Sequence, residues 1–149
     1  MKHEETTTAS VLHRPMFLWS LPFAFLYFAL PVVSKGMGAS AVEIGGLFSV
    51  FTATTLLLRP VVGWALDRWS AKSFLVIALC FYAVAMGAFA FAASLGGLYA
   101  ARIIQGIGSS LLWTASYTII SRVTEPGRRG KALGRLSEIT TQGGLAGIF

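Results

Sequence analysis

The chain has 149 residues, of which 55% are hydrophobic and only 12% are charged, and its net charge is +6. Soluble domains average about a quarter charged residues, so this composition excludes an ordinary soluble domain, a disordered tail and a nucleic-acid-binding arm. The mean hydropathy of +0.70, with charges clustered between long uncharged stretches, is that of an all-α, polytopic helical membrane protein.

Residues 1–14 read as a short cytoplasmic tail. A bilayer crossing needs about 20 mostly apolar residues, and 15–34 carries no charge and is long enough. Trp19, Phe23 and Tyr27 recur there at helical spacing, as a packing or interface stripe or as a substrate contact, and Pro22 and Pro31 suggest kinks. Ala39-Ser40-Ala41 superficially resembles a leader-cleavage site. The apolar stretch before it exceeds the 7–15 residues of a leader core, so a retained helix is expected.

A second span is expected at 43–66. Ser40 and Glu43 have the S-x-x-E spacing of a capping box; the other reading of Glu43 is an ion-coupling carboxylate. The span carries one charge, Arg59, on a face with Thr52, Thr55 and Gly63. Arg59 is a candidate to snorkel, to pair with a carboxylate or to line a solute pathway, and Gly63 removes bulk where another helix can approach.

Residues 73–121 carry a single charge, Arg102, and are too long for one helix. Ser94-Leu95-Gly96-Gly97 divides them into spans 73–93 and 97–121. The third is uncharged and reads as an outer, lipid-facing helix with an inert thiol at Cys80. That single cysteine excludes an internal disulfide and the usual multi-cysteine zinc sites. In the fourth, Arg102, Gln105, Ser109, Trp113 and Ser116 share one stripe, opposite Ile104, Ile107, Leu111 and Ala115. Arginine at a bilayer centre costs about 2.5–3.5 kcal/mol or more. Snorkelling alone does not explain why Gln105 and the serines continue the stripe inward, so it is expected to line a cavity or a packed polar interface. A fifth span begins near 132 and runs to 149, incomplete: its uncharged stretch, 139–149, is too short to cross. The chain is therefore expected to be the front part of a longer protein, with the C-terminal half as its partner.

Orientation follows from lysine and arginine in the short loops. Lys2, Arg14, Arg68, Lys72, Arg122, Arg128, Arg129, Lys131 and Arg135 fall on one side and Lys35 on the other. This places the N-terminus in the cytoplasm, makes the cell membrane the expected location, and leaves no need for a nucleic-acid partner. His3 and His13 have no acid or cysteine at ligand spacing, so no metal site is expected. No phosphate-cradling loop, H-E-x-x-H or G-x-S-x-G motif is present. Nothing argues for an enzyme or a cofactor.

Three motifs resemble those of the major facilitator superfamily. Gly63-Trp64-Ala65-Leu66-Asp67-Arg68-Trp69-Ser70-Ala71-Lys72 resembles the family's loop signature G-x-x-x-D-[RK]-x-G-[RK]-[RK]. Gly63, Asp67, Arg68 and Lys72 match, while Ser70 replaces a glycine and Ala71 a base. Arg102, Gln105, Gly106 and Gly108 match the fourth-helix pattern R-x-x-Q-G-x-G. Arg129-Gly130-Lys131-Ala132-Leu133-Gly134 resembles the family's opening of the fifth helix. The antiporter branch carries a Gly-Pro pair in that helix; aligned from Gly134, Gly147 fits but position 148 is Ile. Gly143, Gly144 and Gly147 allow tight packing. Glu138 is either a coupling carboxylate or an interface residue beside Arg135.

The resemblance implies a partial major-facilitator-type bundle built on inverted three-helix repeats. It implies secondary transport of a small solute by alternating access, with a proton as candidate co-substrate and efflux or uptake left open. It implies Arg102, Gln105, Ser109, Trp113 and Arg59 on the substrate or proton pathway, and Gly63, Asp67, Arg68 and Lys72 as a gating loop. A truncated, non-transporting membrane scaffold that binds other helices shares every hydropathy feature. An intramembrane enzyme would need paired acids or histidines within the spans, and these 149 residues hold none.

Overall fold

The computed structural model describes the backbone of residues 2–146 and the side chains of Phe17, of 20–125 and of 127–146. Five α-helices follow one another: α1 Lys2–Gly36, α2 Ala41–Leu66, α3 Ala71–Phe91, α4 Leu95–Val123 and α5 Arg129–Ala146, with a 3-10 turn at Pro126–Arg128 before α5. No strand occurs among the described residues. Three of the helices, α2, α3 and α4, are long and apolar enough to cross a membrane, and Ser20–Gly36 forms a shorter apolar segment of α1. The Trp19 side chain, Gly147 and Ile148, which figured in the sequence reading, lie outside the described residues.

The helix ends differ from the hydropathy boundaries for physical reasons. The first helix begins at Lys2 instead of near 15. Apolar composition marks the bilayer crossing, and a helix continues into water wherever local propensity allows; Glu4 and Glu5 in the first turn favour such a start. The fourth helix begins at Leu95 because Ser94 caps it: the Gly97 N–H donates to Ser94 Oγ at 3.2 Å, so the two glycines lie inside the first turn. At α2 the capping box forms as the spacing predicts. The Glu43 N–H donates to Ser40 Oγ at 3.3 Å, and the Ser40 N–H donates to Glu43 Oε2 at 2.8 Å. The Ser40 hydroxyl donates to the same carboxylate oxygen at 2.7 Å.

The chain forms two compact units. One comprises Met1–Val32 and Ile119–Phe149; the other is Val33–Thr118. In the first, Leu136, Ile139 and Gly143 recur at i, i+3 and i+7 and are buried. A Cβ on Gly143 would collide with Ser20 Oγ and lie 2.9 Å from the Phe17 carbonyl oxygen, so this glycine lets α5 lie directly on the α1 backbone.

In the second unit, α3 buries Ala71, Phe74, Ala78, Tyr82 and Ala85 along one stripe. Its other side exposes Val76, Ile77, Leu79 and Val84. The third helix thus packs along one side and leaves an apolar side exposed, as an outer helix would; the small residues on its packed side are the sign of a helix contact. The α2–α3 connection is tight: the Arg68 and Trp69 N–H groups both donate to the Ala65 carbonyl at 3.0 Å. Arg68 lies over the Trp64 ring at 3.9 Å, and Trp69 packs edge-on against Trp64.

Candidate functional site

The site is centred on α4. Arg102, Gln105 and Ser116 are 0% exposed and Ser109 is 2% exposed, in a helix that otherwise buries Leu98, Ala101, Leu112 and Ala115. A guanidinium taken out of water needs compensating partners. Arg102 Nη1 donates to Gln105 Oε1 at 2.6 Å, one turn along the same helix. Its carbon Cζ lies 5.0 Å from the Phe48 ring centroid, 5.3 Å from Phe51 and 5.8 Å from Phe89. These are cation–π distances, so α2 and α3 supply aromatic faces around a cation carried by α4.

The polar chain continues onto α3. Gln105 Nε2 donates to the Tyr82 hydroxyl at 2.9 Å, and Tyr82 is itself buried. Arg102, Gln105 and Tyr82 therefore form a linked series of buried polar groups.

Two glycines bring the helices this close. A Cβ on Gly106 would stand 2.8 Å from Thr54 Cβ and 3.2 Å from the Phe51 carbonyl oxygen, both on α2. A Cβ on Gly108 would stand 3.1 Å from Phe81 Cβ and 3.2 Å from the Ala78 carbonyl oxygen, both on α3. The glycines of R-x-x-Q-G-x-G thus clear α4 towards two different neighbours. Thr55, buried on α2, donates to the Phe51 carbonyl at 2.9 Å and reaches the Gly106 carbonyl at 3.4 Å.

The rest of the predicted stripe is less uniform. The Ser116 hydroxyl is spent on the Leu112 carbonyl at 2.7 Å. Trp113 is half-buried and packs against Tyr117 with ring centroids 5.5 Å apart. Ser110, outside the predicted stripe, is fully buried, and its hydroxyl makes no hydrogen bond among the described residues. On the expected opposite face Ile104, Ile107 and Leu111 are half-buried, but Ala115 is fully buried. The α2 face divides: Thr55 turns onto α4, while Thr52 and Arg59 are exposed. The structure does not bring Arg59 into the Arg102 cluster. Gly63 has open space where a Cβ would go, and Asp67, Arg68 and Lys72 are exposed around the α2–α3 connection.

Sequence reasoning singled out Arg102 and Gln105 but not Tyr82, Phe48, Phe51 or Phe89. The signal for Tyr82 was its spacing from Ala78 and Ala85, which places a hydroxyl on the small-residue face of α3. The phenylalanines left no distinguishing signal among the 11 in the chain.

The site sits within a sequence that matches known transporters along nearly its whole length. The family profile of the Major Facilitator Superfamily matches residues 16–149. Multidrug resistance protein 1 of Bacillus subtilis is 24% identical over 144 residues, covering 97% of this chain and 37% of that protein. Quinolone resistance protein NorA of Staphylococcus aureus is 25% identical over 137 residues, covering 92% of this chain and 35% of that protein. A probable vesicular acetylcholine transporter-B of Danio rerio is 36% identical over 94 residues, 62% of this chain and 19% of that protein. The chain thus spans little more than a third of the length of the relatives it matches most fully. With the family's loop and fourth-helix motifs set on α2–α3 and α4, and its profile matched from residue 16 onward, the chain belongs to the major facilitator superfamily.

Proposed function

We propose that these residues are the N-terminal part of a secondary transporter that exports small organic molecules across the cell membrane by alternating access, coupled to an ion gradient. The observation that carries this reading is Arg102, fully buried in an apolar span against Gln105 and the Phe48, Phe51 and Phe89 rings. Such a residue is expensive in a membrane helix and marks a solute or ion pathway. Export of organic molecules rests on the names of the multidrug and quinolone resistance relatives. The cytoplasmic N-terminus rests on nine basic loop residues facing Lys35 alone. In this reading Arg102, Gln105, Ser109 and Trp113 contribute to the pathway. Gly63, Asp67, Arg68 and Lys72 form a cytoplasmic gate closing against the other half. Arg59, exposed on α2, is left to meet that half or the headgroups.

The test is transport by the full-length protein in proteoliposomes under an imposed pH gradient, with a fluorescent cationic dye and a quinolone as substrates. Arg102→Ala should reduce gradient-driven transport at least about tenfold while leaving membrane insertion and yield unchanged. Transport by that variant at the parental rate would overturn the assignment of Arg102 to the pathway. No transport of any test compound by the parent protein would overturn export of organic molecules.

A further inference from the structure

Arginine has only donors, so the group that Gln105 turns towards Arg102 must be its carbonyl oxygen. That fixes the opposite end of the amide as NH2, independently of how the two ends are distinguished by shape. The NH2 end is buried on the α3 side, where the Tyr82 hydroxyl accepts from it at 2.9 Å. A hydroxyl can accept through its lone pairs; a phenyl edge cannot. We infer that Tyr82 is a positioning residue for transport: its hydroxyl fixes the Gln105 amide so that Oε1 is held against the Arg102 guanidinium. This rests on the proposed role of Arg102 and adds a residue from another helix to it.

The placement is built into the backbone. Tyr82 lies on the stripe with Ala78 and Ala85, both at most 1% exposed, so nothing bulky holds α3 off at either adjacent turn. Gly108 completes the approach: its missing Cβ would stand 3.4 Å from the Tyr82 backbone nitrogen and 3.2 Å from the Ala78 carbonyl oxygen. Without the hydroxyl, the amide either buries an unsatisfied N–H or turns over and sets its own donors against those of Arg102, and both are unfavourable. The Arg102–Gln105 contact then loses its fixed geometry, although neither residue has changed.

The experiment is a double-mutant cycle on Tyr82→Phe and Gln105→Ala in the full-length transporter, read as maximal rate, KM and pH profile in proteoliposomes. Arg102→Ala serves as the control for the pathway reading. Loss of one buried hydrogen bond that orients a working group should lower the maximal rate of Tyr82→Phe about tenfold. Tyr82→Phe should then cause no further loss in the Gln105→Ala background, because the inferred effect of the hydroxyl on transport runs through the amide. Gln105→Glu, with an acceptor oxygen at both ends, should make transport less sensitive to Tyr82→Phe. Parental transport by Tyr82→Phe overturns the inference. So does an equal, multiplicative loss in the Gln105→Ala background, which is what a purely structural role gives. If Arg102→Ala transports normally, the pathway reading itself has failed, and the control separates that failure from a failure of Tyr82 alone.

Discussion

The Cβ that Gly106 lacks would stand 2.8 Å from the Cβ of Thr54. Neither position can give way through a side-chain rotation, because both atoms are fixed to helix backbones, and the Phe51 carbonyl oxygen lies 3.2 Å from the same point. Gly106 therefore sets the α2–α4 separation at which Phe48 and Phe51 reach the Arg102 cation. Gly106→Ala should destabilise the protein by about 1–3 kcal/mol through overpacking, seen as a lowered thermal midpoint in detergent. Gly45 on α2 has open space at its Cβ. Gly45→Ala should leave the midpoint unchanged or raise it, since alanine is the better helix former. Equal midpoints for the parent and Gly106→Ala would show that α2 and α4 are not packed this closely.

How much of this could be read beforehand depended on range in sequence. The capping box, the helix order and the burial of Arg102 and Gln105 follow from residues within a turn or two of each other, where spacing determines geometry. Tyr82 and Gln105 are 23 positions apart, and no periodicity in either helix states which turn of α3 faces which turn of α4. Phe48, Phe51 and Phe89 are invisible for the same reason, as aromatic residues in apolar helices are the norm. The stripe on α4 was legible, but its division was not: the Ser116 hydroxyl bonds its own helix, as serine in an apolar helix commonly does. Hydropathy placed the helix ends least well, because Ser94 draws its two following glycines into a helix through one side-chain cap.

The capping box on α2 separates two roles for Glu43. Both ends of the box are made, and the carboxylate accepts from the Ser40 N–H and hydroxyl. Ser40→Ala should fray the first turn of α2 at a cost of about 1 kcal/mol, read as faster hydrogen exchange at the amides of Glu43 and Ile44. Glu43→Gln preserves a box-competent side chain. It should leave both exchange and gradient-driven transport close to the parent. Loss of gradient-driven transport with normal exchange in Glu43→Gln would instead make this carboxylate the coupling group.

Cys80 reports on what the outer face of α3 meets. It is a free, exposed thiol beside Ile77, Leu79 and Val84, which are exposed as well, in a helix long and apolar enough to cross a membrane. Thiol alkylation proceeds through the thiolate, which needs water or a nearby positive charge, and α3 holds no charge beyond Lys72 near its start. In intact membranes Cys80 should therefore resist a membrane-impermeant maleimide and react fully only after denaturation in SDS. Met37→Cys in a Cys80→Ser background supplies the comparison, because Met37 is exposed in the α1–α2 connection. That thiol should label rapidly from the outside of intact cells if the basic loops are cytoplasmic. Rapid labelling of Cys80 itself in intact membranes would put water against this face of α3. Lipid would then be the wrong neighbour for it, and the solute pathway or a subunit interface would have to lie there instead.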